Sequence, residues 1–133
     1  MRYALFPIFA IAASLTACGD DSATAPVPFA GTWSLRTWGG RPLPTSQIGG
    51  LGLRTDILGG SLSIAADGTW SETLTLYVVT STGAFDRTAT SHGTYSPVGT
   101  FIHFIASDNP EYMDCQVVAD ALMCDDGQVS YTR

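Results

Sequence analysis

Residues 58–76, LGGSLSIAADGTWSETLTL, alternate apolar and polar side chains on both sides of Ala66-Asp67-Gly68. Alternation with period two marks strands that bury one face, and a Gly free to take positive φ closes a tight hairpin between them. Leu62 and Ile64 share a face before the turn. After it, Trp70, Leu74, Leu76 and Val78 share a face, with Thr73, Thr75 and Tyr77 opposite. Gly59-Gly60 predicts a bulge or kink in the first strand. Glu72 stands on the otherwise apolar Trp70/Leu74 face, which places it at a solvated cavity or at the mouth of whatever these strands enclose.

The same reading extends in both directions. From Phe29 onward no window sustains a 3.6-residue period, and Gly, Pro, Thr and Ser recur throughout. Strands are predicted over residues 31–38, 51–65, 69–80, 85–96, 100–106, 112–118, 121–125 and 128–133, with turns at Ser96-Pro97-Val98-Gly99 and Ala119-Asp120. Eight antiparallel strands in series predict an all-β fold, an up-and-down barrel whose closure removes the exposed edges of an open sheet. The one long connection, residues 39–50, is rich in Gly and Pro and reads as a lid over the barrel mouth.

The 133 residues suffice for one domain with a modest core. All six basic residues are Arg, against twelve Asp and Glu, for a net charge of −6. With no basic patch to neutralise phosphates, nucleic-acid binding is excluded. Two His and scattered carboxylates leave little for catalysis. No metal motif, Walker loop, nucleophile elbow or dinucleotide fingerprint occurs, so no cofactor, metal or enzymatic activity is expected. Six of the twelve acids fall between Asp108 and Asp126. Asp125-Asp126-Gly127 does not have the spacing of an EF-hand loop, and the segment reads as a solvated, negative end of the barrel.

The amino terminus carries an address. Arg2 precedes an unbroken apolar run of eleven residues, Tyr3 to Ala13. This is too short to span a bilayer, which takes about 20 residues, and has the form of a signal-peptide core. Leu15-Thr16-Ala17-Cys18 resembles the lipobox of bacterial lipoproteins. The resemblance implies a signal peptide over residues 1–17, a diacylglyceryl group on Cys18, and anchoring to the membrane through that lipid. Residues 18–29 then form a small, polar, Pro-containing tether, and residues 30–133 the barrel domain. Gly19 rather than Asp follows the lipidated Cys, which by similarity to lipoprotein sorting places the protein in the outer rather than the inner membrane if the source is diderm.

Three Cys is an odd count for an exported chain. With Cys18 lipidated, Cys115 and Cys124 remain. A two-residue Ala119-Asp120 loop sets them directly opposite, on the face of Val117 and Leu122, within reach of a disulfide. His92 and His103 depend on the turn between them. A two-residue Pro97-Val98 loop faces one with the other, whereas a bulged three-residue Pro97-Val98-Gly99 loop sends them to opposite faces. Even a facing pair is one ligand short of a zinc site.

Several segments resemble the lipocalin-like (calycin) proteins, and in particular small bacterial lipocalin-like lipoproteins. These are GTWSLRTWGGRPLP (31–44), the strand–DGT–strand hairpin of 58–76, GTYSPVGTFIHF (93–104) and the closing VSYTR (129–133). The resemblance implies an eight-stranded barrel tethered outside the cell membrane. It also gives Trp33 of Gly31-Thr32-Trp33 a place across the closed end, against Arg133 of the last strand. A small protease-inhibitor family shares the barrel and the Gly-x-Trp-x-Leu opening, but its disulfide lies early in the domain. Trp70, Tyr95, Phe101 and Phe104, together with Glu72, are the candidate lining of a pocket for a small hydrophobic ligand. The alternative is a filled barrel that acts as an interaction or inhibitor module of the cell envelope.

Overall fold

In the computed structural model, which describes residues 28–110 and 112–133, the Asp67-Gly68 hairpin joins two long strands of a single sheet. The strands are β1 (Gly31–Trp38), β2 (Arg41–Pro42), β3 (Thr45–Ile48), β4 (Arg54–Ile64), β5 (Thr69–Thr80), β6 (Gly83–Val98), β7 (Phe101–Ala106), β8 (Met113–Val118), β9 (Ala121–Cys124) and β10 (Val129–Thr132). Every pairing is antiparallel. Strands β4 to β10 pair in sequence, and β1 pairs with β10 on one side and β4 on the other. Eight strands thus close into an antiparallel, calycin-like barrel, while β2 and β3 are short additions on β1 and β4. Cys18 and the rest of residues 1–27, the expected signal peptide and tether, lie outside the described residues. The packed domain begins earlier than the sequence boundary at residue 30, because Phe29, assigned to the tether, is buried in the core.

Local chemistry explains the turns. Both the amide and the hydroxyl of Thr69 donate to Asp67 Oδ1, at 3.0 and 2.6 Å, which holds the Asp67 carboxyl below its usual range. Gly68 supplies the positive φ. The expected kink in β4 is a bulge at Leu58, where the register with β5 slips between Ile57 and Gly59. Gly60 then lets three strands meet, since a Cβ there would stand 2.7 Å from Leu74 Cδ2 and 2.9 Å from the Thr73 carbonyl.

Two connections differ from the sequence reading. Residues 39–50 are not an irregular lid: Thr45–Ile48 pairs with residues 54–57 of β4, and the Gly40 amide is hydrogen-bonded to Gln128 O at 2.8 Å. The Thr and Ile content of TSQI suits a strand, and the Gly-rich composition on either side concealed it. Its partner β4 accordingly begins at Arg54 rather than residue 51, after a short turn in which Leu51 takes φ 59°. The β6–β7 turn is Gly99-Thr100 rather than Ser96–Gly99, because β6 runs on through Pro97 and Val98. Gly99, at φ 64°, supplies the left-handed position, and Pro97 is accommodated within the strand.

Inward-facing residues alternate with outward ones along most barrel strands and pack the interior, whereas the first half of β6 is exposed on both faces. Trp33, Leu62, Ile102, Phe104, Leu122 and Tyr131 are all under 2% exposed. Cys115 and Cys124 stand directly opposite with Cα atoms 4.0 Å apart and form a disulfide inside the barrel. In the chain-entropy picture, closing this short loop contributes roughly 2–3 kcal/mol. One strand is only half covered. Strand β6 pairs with β7 from Gly93 onward, so among the described residues, 83–91 are strand-paired with β5 alone, and their other edge carries no strand.

Candidate functional site

Glu72 lies in the barrel interior, 2% exposed, where a carboxyl group needs hydrogen-bonding partners to be tolerated. Two phenols supply them: Tyr131 OH donates to Oε1 and Tyr112 OH to Oε2. Tyr131 reaches in from β10. Tyr112 comes from the segment before β8, stacks on Trp70 with ring centroids 4.9 Å apart, and is hydrogen-bonded to Ser91. The solvated position read from the sequence is therefore corrected. Glu72 is enclosed because its donors come from strands remote in the chain, which alternation along β5 cannot reveal. Tyr131 could have been read as inward-facing from the VSYT alternation, whereas Tyr112 precedes its strand and carried no such signal.

Burial, reinforced by the charge of Glu72, pushes both phenols far above the ordinary tyrosine range. A raised folded-state value contributes stability that is complete below about pH 10 and is lost as pH rises beyond it, because the unfolded tyrosine ionises first. Denaturation titrations above about pH 10 should therefore show stability falling, by up to ~1.4 kcal/mol per pH unit from Tyr131. Tyr131→Phe should flatten that limb; an unchanged slope would refute the assignment.

The other pocket candidates are core or surface. Trp70 is buried, with its indole N–H donating to Thr94 O at 2.9 Å and Ile105 O at 3.2 Å. It meets Phe104 edge-on at 5.5 Å. Tyr95 packs against Phe29 and donates to Ala65 O at 2.6 Å. Burial and the nearby charge of Asp67 raise the Tyr95 phenol above its usual range. Phe101 does not line the interior. It alternates with buried Ile102 and points outward, 56% exposed. The expected pocket is thus resolved into three packed aromatics, one bonded carboxyl and one outer-wall side chain.

Beside this cluster, on the far side of Phe29 from Tyr95, Trp33 Nε1 donates to Phe29 O at 2.9 Å. The Arg133 guanidinium carbon lies 4.4 Å from the centroid of the Trp33 ring, and its Nη2 donates to Pro28 O at 2.7 Å. Gly31, at φ 132°, starts β1 beside them with a backbone that L side chains rarely adopt. This corner ties the first described residues to the last one.

Neither turn geometry considered for the histidines occurs. His92 pairs with Ser71, and His103 pairs with Ser96 on one side and Asp114 on the other. Both histidines face outward but do not meet. Ser96, His103 and Asp114 form a row across three strands, with His103 Nδ1 bonded to Asp114 Oδ1. The row has the residue types of a hydrolytic triad without its connections: among the described residues no hydrogen bond joins Ser96 to His103.

The outer wall has more open relief. A cavity of about 590 Å³ crosses the β6–β7 seam beside His92 and Ile105. A groove of about 560 Å³ runs over β8, between Phe101 of β7 and Met123 of β9. Its floor is Gln116, directly opposite both walls. One end is Val118, and the other carries Asp114, Asp125 and Asp126. Burial, with the charges of Asp114 and Asp126, raises the Asp125 carboxyl above its usual range. No family model, curated protein or solved structure matches the chain.

Proposed function

We propose that this is a lipid-anchored protein of the bacterial cell envelope whose barrel is a rigid, non-enzymatic binding module that recognises a protein partner on its outer wall. The observation that carries the reading is the distribution of apolar side chains. The interior positions are occupied by the protein's own residues, while Val98, Phe101 and Val118 stay 72%, 56% and 49% exposed on neighbouring outer-face positions. Exposed apolar clusters of this kind mark interaction surfaces. The lipobox-like Leu15-Thr16-Ala17-Cys18 supports the anchor.

Radical footprinting tests the surface. In intact envelopes Phe101, Val118 and Met123 should react markedly less than in the purified protein, and equal reactivity would defeat the reading. A small hydrophobic ligand is the second reading. It is favoured by Trp38, Leu43, Leu74 and Leu76, which are only partly buried against the core. Native mass spectrometry of protein from its own host decides between them: a co-purifying small molecule supports the ligand.

A further inference from the structure

The groove over β8 changes chemistry along its length, and on the reading that it is a recognition surface, this change specifies the class of partner. Successive outward residues of β8 are Asp114, Gln116 and Val118. At about 3.3 Å per residue, the acidic and apolar ends are about 13 Å apart. Phe101 and Met123 wall the middle, and Asp125 and Asp126 crowd the acidic end from the turn after β9. We propose that the groove binds an extended segment of a partner protein in which an apolar side chain is followed, four residues on, by Arg or Lys.

Charge complementarity selects this occupant. Three carboxylates at one end disfavour an acidic segment and favour a cation there. His103, on the adjoining strand, is bonded to Asp114, and the Asp125 carboxyl accepts from the Asp114 backbone, so Asp126 is the freest acceptor of the three. A second copy of this chain is a poor occupant: it carries a net charge of −6 and would bring its own acids to the groove. The apolar end supplies the anchor that a purely ionic contact lacks, since exposed ion pairs alone contribute little.

The test uses the full chain and three capped synthetic hexapeptides, FSGSRR, FSGSEE and GSGSRR, followed by chemical-shift titration. FSGSRR should shift the amides of Gln116, Val118 and Asp125 and bind about tenfold more tightly than either control, a difference of about 1.4 kcal/mol. Added salt should narrow its advantage over FSGSEE. Asp125→Asn with Asp126→Asn should remove the preference for Arg, and Asn is well suited to the left-handed backbone at both positions (φ 49° and 55°). Val118→Asp should remove the preference for Phe. Equal binding of FSGSRR and FSGSEE would overturn the cationic specificity while leaving the groove as a recognition surface. Failure of all three peptides to shift groove amides would overturn the inference, and footprinting in the envelope would still judge the surface independently. Self-association abolished by Val118→Asp would assign the groove to a second copy and overturn it as well.

Discussion

Trp33→Ala is expected to lower the unfolding free energy by about 3–5 kcal/mol, most of the stability of a domain this small. The indole is 1% exposed, and its removal deletes the largest fully buried side chain and the donor to Phe29 O. The void would lie where β1 meets β4 and β10, so collapse around it would disturb the closure of the barrel. Arg133→Ala should cost far less, about 1 kcal/mol, because its guanidinium is an exposed cap over the ring. Urea denaturation measures both. A Trp33→Ala loss below about 2 kcal/mol would mean that the ring is not a keystone of the core.

Glu72→Ala should cost a similar amount, about 3–5 kcal/mol, for a different reason. The substitution leaves a void and strands the Tyr131 and Tyr112 hydroxyls, each buried donor without a partner costing about 1–3 kcal/mol. Tyr112 should contribute the smaller share, since it is only partly buried and water can replace its partner. Replacing the three groups (Glu72→Leu, Tyr112→Phe and Tyr131→Phe together) should restore stability to within about 1 kcal/mol of the parent, because the buried carboxyl and both phenols go together and only the partly buried Ser91 hydroxyl loses a partner. A triple variant as unstable as Glu72→Ala would show that packing, not hydrogen bonding, holds this part of the barrel.

The strand pattern was legible because it is local. Alternation around Asp67-Gly68 identified β4 and β5, and the two-residue Ala119-Asp120 loop gave the register that joins Cys115 to Cys124. What escaped was set by distant partners. Strand β3 is a strand because β4 offers it an edge, and Pro97 does not end β6 because the left-handed Gly99 lies two residues further on. The site was legible only as a set of residue types. Glu72 stood out as a charge on an apolar face, but its partners lie 40 and 59 residues away. Phe101 was misassigned because β7 is apolar on both faces, so composition could not distinguish its inner side from its outer one.

The disulfide also bears on the order in which the chain matures. Cys115 and Cys124 are 2% and 0% exposed, yet only nine positions apart. Once the barrel has closed, neither an oxidant nor a small-molecule thiol can reach the sulfurs without local opening. The bond therefore forms most readily while the β8–β9 hairpin is still accessible, before the barrel closes around its inner face. The same enclosure shields the bond afterwards, so the mature protein should keep its oxidised hairpin through transient reducing conditions that it could not withstand during assembly.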